Sequence, residues 1–324
     1  MTTFTLYLLL FISIVANIYF LFWRSLAKKA SLTHSEDNPA TGVPKKDVAG
    51  FYNTQTENFL KVYGKVIQAF RTRDVNTLLG YQAAQMNLRA GLKLLDAGCG
   101  VGGPAIYFAQ HNQVMVEAIT ISSVQKGIAE KNIVAAGLQN SVTVTEGDYH
   151  HLENYYPANH FDVICFLESF GHAHSHEQVL DSAWSVLQPG GMIYIKDLFR
   201  KKTFLKGLEK GIEKEIQNIN NAYHYNVAEL NAVLDHARKK GYILSALKTI
   251  DIPLEEFENL SISNEFQELT GINKIDSLRD YIFPVDFFEL KLVKPGYDLS
   301  KGNSRYFLQN MYFMQLQNWK ENDL

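Results

Sequence analysis

Three regimes of hydrophobic patterning divide the chain. Residues 3–23 (TFTLYLLLFISIVANIYFLFW) are apolar and carry no charge. Residues 25–49 are polar and hold two prolines. From Phe51 onward apolar positions recur periodically. The first stretch predicts a membrane-spanning helix, because twenty-one helical residues cover roughly 30 Å of hydrocarbon. Arg24, Lys28 and Lys29 follow it and nothing basic precedes it, which places the bulk of the chain on the cytoplasmic side of a single-pass anchor (residues 1–24). A cleaved signal peptide would carry a basic start, which is missing here. Residues 25–50 then predict a flexible tether.

Between Phe51 and Leu88, Phe59, Leu60, Tyr63, Val66, Ile67 and Phe70 recur at helical spacing, which predicts N-terminal helices over 51–90. Strand-like runs follow near 92–97, 114–121, 142–146, 161–166 and 191–198, with helical stretches near 104–111, 123–137 and 177–187 between them. Short links and strict alternation predict an α/β fold with a Rossmann-like parallel sheet. A charged helical insertion over 200–225, a helix over 227–240 and a strand over 242–251 come next. Residues 252–304 read as an irregular cap insertion, and 305–317 (RYFLQNMYFMQLQ) as the seventh and last strand. The domain therefore spans 91–324.

The composition, 46% hydrophobic and 20% charged with a net charge of −3, is that of a globular protein and does not suggest a nucleic-acid footprint. The two cysteines, Cys99 and Cys165, sit far apart at predicted strand ends and point to a reducing compartment.

Candidate chemistry concentrates in LLDAGCGVGGPAIYFAQ (94–110), a strand, a glycine cluster and a helix. Gly98, Gly100 and Gly103 fit a dinucleotide loop, whereas Gly98, Gly100 and Gly102 fit the looser loop that holds S-adenosylmethionine. Glycines alone do not separate the two. The neighbours do. Asp96 at the strand end suits a cationic ammonium and repels a pyrophosphate. Thr120 stands where a NAD enzyme wants a ribose-binding acid. Asp148, in EGDYHHL after the third strand, is placed to accept from an adenine amino group.

The ordered set D-A-G-C-G-V-G-G, E-G-D and L-Q-P-G-G resembles the successive motifs of class I S-adenosylmethionine-dependent methyltransferases over roughly residues 90–200. The resemblance implies a seven-stranded core, methyltransferase activity and S-adenosylmethionine as cofactor. The cofactor set it implies is Asp96, Gly98, Cys99, Gly100, Thr120, Ser122, Gln125, Gly147, Asp148 and Tyr149. A-I-T-I-S-S-V-Q (118–125) resembles methyltransferases of isoprenoid carbon, including geranyl diphosphate C-methyltransferases. L-E-S-F-G-H-A (167–173) resembles sterol 24-C-methyltransferases. In both, Glu168 is the shared position.

Carbon methylation gives Glu168 a reason: alkene attack on a sulfonium methyl leaves a carbocation, which aromatic faces stabilise and a base deprotonates. Tyr52, Tyr63, Phe70, Tyr149, Phe166 and Phe170 are candidate pocket aromatics. Glu168 and His172 are the catalytic candidates. His172, His174 and His176 alternate, yet methyl transfer needs no metal and none is expected. The sterol enzymes' aromatic block before the glycine loop is replaced here by FLKVYGKVIQAFRTRD (59–74). Residues 200–216 hold six basic and three acidic residues and suggest an interfacial helix or lid. The expected partner is a lipophilic acceptor met at the membrane. O- or N-methylation of a small hydrophobic metabolite, and a S-adenosylmethionine-binding scaffold, remain alternatives.

Overall fold

The structure is a computed structural model that describes residues 45–249, 259–275 and 281–296. The expected anchor, most of the tether and the strand expected over 305–317 lie outside the described residues. Among the described residues no helix is long and apolar enough to cross a membrane.

Five strands alternate with helices along the chain: β1 (Lys93–Ala97), β2 (Met115–Thr120), β3 (Val142–Glu146), β4 (Phe161–Leu167) and β5 (Leu187–Arg200). With β6 (Ile243–Thr249) and β7 (Val285–Val293) they form one seven-stranded sheet of order β3-β2-β1-β4-β5-β7-β6. The first five are mutually parallel, and β7 runs antiparallel between β5 and β6. In chain order the helices are α1 (Lys45–Tyr63), α2 (Val75–Gln85), α3 (Gly103–Asn112), α4 (Ser123–Ala135), α5 (His176–Val186), α6 (Lys206–Tyr223), α7 (Leu230–Lys240) and α8 (Asn259–Thr270). Two apolar layers sandwich the sheet. One packs Phe108, Ala109 and Ile133 of α3 and α4 on the β1–β2 region, the other Val179, Leu180 and Ala183 of α5 on β4 and β5. Both faces being covered, the central strands read as near-continuous apolar runs.

Three expectations change. The seventh sheet strand is β7, inside the stretch read as irregular. Its apolar run is broken by Glu289, which is only 1% exposed and which Tyr81 Oη (2.7 Å) and the Tyr194 hydroxyl satisfy by hydrogen bonding. A buried charge with built-in donors is compatible with a covered strand, but it erases the sequence signal. Second, residues 45–50, read as the end of the tether, are already helical. Third, the helical spacing through Val66, Ile67 and Phe70 does not make a helix. Gly64 takes φ +66° and ends α1, and the Arg71 guanidinium turns back to donate to the carbonyls of Tyr63 (3.0 Å) and Val66 (3.1 Å). Residues 64–74 thus form a compact loop, and it lies over the glycine cluster: a Cβ on Gly103 would come 2.1 Å from the Lys65 carbonyl oxygen.

Candidate functional site

Parallel strands end on the same edge of the sheet, so Asp96, Thr120, Gly147 and Glu168 converge although they are far apart in sequence. Together with the loop after α1 they enclose a cavity of about 870 Å³, open to solvent. Eleven of the twelve candidate residues line it: Asp96, Gly98, Cys99, Gly100, Thr120 and Gln125, then Gly147, Asp148, Tyr149, Glu168 and His172. Ser122 does not. It is fully buried as the N-cap of α4, where its Oγ accepts from the Gln125 amide (3.1 Å) and donates to Asn53 Oδ1 (2.6 Å). It serves the helix that positions Gln125.

Two lining residues hold unpartnered polar atoms. Asp96 receives a weak bond from the Cys165 thiol on Oδ1 (3.8 Å), but its Oδ2 is buried with no partner. Burial pushes its pKa up to about 7. Gln125 accepts from Thr120 Oγ1 (3.0 Å), while its Nε2 is a buried donor without acceptor. A lone anionic acceptor and a lone amide donor in one cleft fit a ligand with an ammonium group and sugar hydroxyls. The glycines make room for it. Gly98 has φ +87°, and a Cβ there would meet Ser169 Cβ at 2.4 Å. Gly100 has φ +54°, and its Cβ would meet only Ile67 Cδ1, at 3.7 Å.

Asp148 caps the short 3-10 turn over Tyr149–Asn154, accepting from the His150 amide (3.1 Å) and engaging His150 Nδ1 (2.6 Å). His150 stacks on His174 with centroids 3.7 Å apart. Both line the cavity, and the sequence singled out neither for the cofactor.

Glu168 is more constrained than a free base. It sits at φ +57°, accepts from the amides of Ala69 (2.6 Å) and Phe70 (3.0 Å), and pairs with Lys196, itself 1% exposed. Lys196 also donates to Gln68 Oε1 (2.8 Å) and the Phe70 carbonyl (2.5 Å). The pair thus pins the 64–74 loop to the ends of β4 and β5. Sequence reasoning passed over Lys196, although a lysine inside the apolar run MIYIKDLF is a signal, since a buried ammonium must find a partner. Its neighbour Asp197 is equally buried. It accepts from the amides of Gly171 (3.0 Å) and Leu198 (2.8 Å), and burial raises its pKa to about 7.

His172 accepts on Nε2 from the Tyr52 hydroxyl (2.7 Å) and donates from Nδ1 to the His224 carbonyl (3.1 Å). Burial lowers its pKa to about 4, so it is neutral at physiological pH. His176 starts α5 instead, and burial likewise depresses its pKa to about 4. Among the described residues no group of His, Cys, Asp and Glu is arranged to hold a metal.

A second cavity of about 1160 Å³, also open to solvent, shares Tyr52, Ile67 and Glu168 with the first. Its walls are aromatic: Phe59 and Tyr63 from α1, Tyr223 and Tyr225 at the end of α6, and Phe283 and Phe287. Of the candidate aromatics, Tyr52 and Tyr63 line it and Tyr149 lines the first cavity. Phe166 and Phe170 are buried in the core instead, and Phe70 stacks on Phe287 (4.1 Å). The wall aromatics beyond residue 200 were out of reach of motif reading.

A seven-stranded sheet with β7 reversed, and a glycine-lined cleft with a buried carboxylate at the strand ends, are the architecture of the class I S-adenosylmethionine-dependent methyltransferase fold. The particular family follows from comparison. The profile of the mycolic acid cyclopropane synthetase family matches residues 76–249, just over half of the 324, and the chain belongs to that family. It is 40% identical over 115 residues to a 27-O-demethylrifamycin SV methyltransferase of Amycolatopsis mediterranei, covering 36% of this chain and 42% of that one. It is 31% identical over 164 residues to a sterol 24-C-methyltransferase of Gibberella zeae, covering 50% and 40%. The chain thus spans about two fifths of the length of the curated relatives it matches. Among solved structures, the cyclase SpnF superposes with a TM-score of 0.63 at 19% identity, over 78% of this chain and 98% of that one. The geranyl diphosphate C-methyltransferase of Streptomyces coelicolor, solved with Mg²⁺, geranyl diphosphate and S-adenosyl-L-homocysteine, does so at 0.60 and 15%, over 79% and 98%. These likenesses show the fold.

Proposed function

We propose that this S-adenosylmethionine-dependent methyltransferase methylates carbon in an isoprenoid or sterol-like lipid. The observation that carries the reading is the aromatic cavity lying beside the cofactor cavity, with Tyr52, Ile67 and Glu168 lining both. No lysine or arginine is among its described lining residues, which favours a neutral apolar body over a diphosphate. Sterol methyltransferases among the relatives support the same class.

When bound, S-adenosylmethionine supplies an electrophilic methyl group. The ammonium of the cofactor is assigned to Asp96 Oδ2, and a ribose hydroxyl to Gln125 Nε2. The faces of Tyr52, Tyr223 and Tyr225 offer negative quadrupole to positive charge developing on an acceptor carbon. A carbocation gives up its proton readily, so a weak base suffices. Tyr52 lines both cavities, and its hydroxyl already donates to neutral His172. It can take the acceptor's proton as it passes its own to His172 Nε2. Glu168, held by two amides and Lys196, is assigned a positioning role: it keeps the 64–74 loop closed over the cofactor. The apolar 3–23 stretch would hold the enzyme on the membrane, with its catalytic domain on the cytoplasmic side.

The test uses the purified full chain, methyl-labelled S-adenosylmethionine and a lipid extract of the native membrane. Label in the organic phase that survives strong base supports carbon methylation. Base-labile label indicates an ester, and label confined to the aqueous phase indicates a small soluble acceptor. Either of those overturns the reading.

A further inference from the structure

The N-terminal end of α6 carries an apolar tip in water. Phe204 is 91% exposed, Leu205 50% and Leu208 39%. Phe283, 40% exposed, belongs to the segment beside it: the Lys201 amide donates to the Pro284 carbonyl (2.8 Å), and the Lys201 ammonium lies 5.7 Å from the Phe283 ring centroid. Further along α6, Gly211 packs against Ile282. Phe283 and Pro284 also line the aromatic cavity, so the segment beside the tip is part of the cavity's wall.

The charges around the tip are sorted by sign. Arg200 draws in the acids, pairing with Glu209 (3.0 Å), Glu213 and Glu229 (3.1 Å). Lys201 and Lys202 pair with Asp286 (3.5 Å) and Glu229 (2.9 Å) at the edge of the same patch. Lys206 and Lys210, one turn apart and both exposed, have no acidic partner among the described residues. Ile212 and Ile216, on the face of α6 opposite the two lysines and continuing the line of Leu208, anchor the helix in the protein. A cluster of exposed apolar side chains neighboured by cations matches an anionic bilayer: the apolar groups enter the headgroup layer and the lysines meet lipid phosphates.

We infer that Phe204, Leu205, Leu208 and Phe283, flanked by Lys206 and Lys210, form a docking surface for an anionic phospholipid bilayer. The surface sets that wall of the aromatic cavity against the membrane. It acts whichever atom of the acceptor is methylated.

Site-specific labelling of the full chain tests this. Cys99 and Cys165 are both buried, so a nitroxide attaches selectively to Phe204→Cys, or to Leu244→Cys on β6 as a control that is also exposed (40%). Collision with oxygen reports the lipid phase, and collision with a nickel chelate reports water. Vesicles of phosphatidylcholine, with and without phosphatidylserine, are the probe. The expected result is that the label at 204 becomes lipid-exposed on phosphatidylserine vesicles while the label at 244 stays aqueous. Lys206→Glu with Lys210→Glu should then reduce that exposure about tenfold. Both labels share any attachment through the N-terminal stretch, so the difference between them isolates the tip. The inference is overturned if the 204 label stays as aqueous as the 244 label, or if charge reversal leaves its exposure unchanged. Shielding of the 204 label without vesicles would show a second copy covering the tip, and would equally overturn it.

Discussion

Replacing Lys196 by methionine while Glu168 stays in place strips a buried carboxylate of its counter-charge. Lys196 is 1% exposed and the Glu168 side chain 6%, and among the described residues its carboxylate is otherwise bonded only to the Ala69 and Phe70 amides. Breaking a buried pair from one side costs about 3–5 kcal/mol, because the remaining charge stays desolvated. Glu168→Gln should cost a similar amount, leaving the ammonium with Gln68 Oε1 and a carbonyl but no anion. The double variant leaves no orphan charge, so its loss should fall short of the sum of the singles by about 3 kcal/mol. Urea unfolding of the four proteins, followed by tryptophan fluorescence, measures the cycle. The same set measured for S-adenosylmethionine affinity separates two roles for Glu168. A positioning role predicts that both singles weaken binding and that the double partly restores it. A base role predicts that Glu168→Gln loses kcat at unchanged affinity, with no rescue. Single costs below about 1 kcal/mol, the range of exposed pairs, or strict additivity would refute the reasoning.

Asp96 predicts a pH dependence. Burial lifts its pKa to about 7, so below pH 7 it takes a proton and loses its attraction for an ammonium. Affinity for S-adenosylmethionine should fall by up to about tenfold per pH unit, and Asp96→Asn should bind weakly with this component removed, as calorimetry would show. The ligand-free protein behaves oppositely. The folded-state pKa exceeds the unfolded one, so this group disfavours folding most above pH 7, and Asp96→Asn should melt higher there, by roughly 2–4 kcal/mol of added stability. Gly98→Ala puts a methyl 2.4 Å from Ser169 Cβ at φ +87°, and should lower the yield of folded protein. Gly100→Ala, free of such a clash, should cost about 1–2 kcal/mol of stability yet weaken cofactor binding more, by thermal shift with and without ligand. Tyr52→Phe leaves His172 Nε2 without its donor, which should cost about 1–3 kcal/mol in unfolding free energy and lower kcat more than it raises KM.

The chemistry of the cofactor cleft was legible because it is local. Asp96, the glycines and Asp148 each follow a strand within a few residues, and parallel strands bring such positions together whatever the loops do. Eleven candidates therefore met in one cavity. Ser122 falls outside the cavity lining, and a serine before a helix reads the same whether its hydroxyl faces a ligand or caps the helix. The loop over 64–74 kept a helix-like spacing of apolar residues, but Gly64 and the inward-turned Arg71 decided against a helix. β7 escaped notice because Glu289 interrupts its apolar run, and the groups that make that charge tolerable, the Tyr81 and Tyr194 hydroxyls and the Lys248 ammonium (3.6 Å), are distant in sequence.

The sequence by itself determined the alternation of strands and helices and the motifs that mark the family, since these depend on backbone periodicity and on short local patterns. Tertiary structure alone decided which groups Glu168 meets and which side chains wall the aromatic cavity. Glu168 meets Lys196 and two loop amides only once β4, β5 and the 64–74 loop are assembled. The aromatic cavity is walled by side chains from α1, the end of α6 and the segment entering β7, brought together across more than two hundred residues of chain. No local pattern encodes such a wall, because each aromatic reads in sequence as one more core residue.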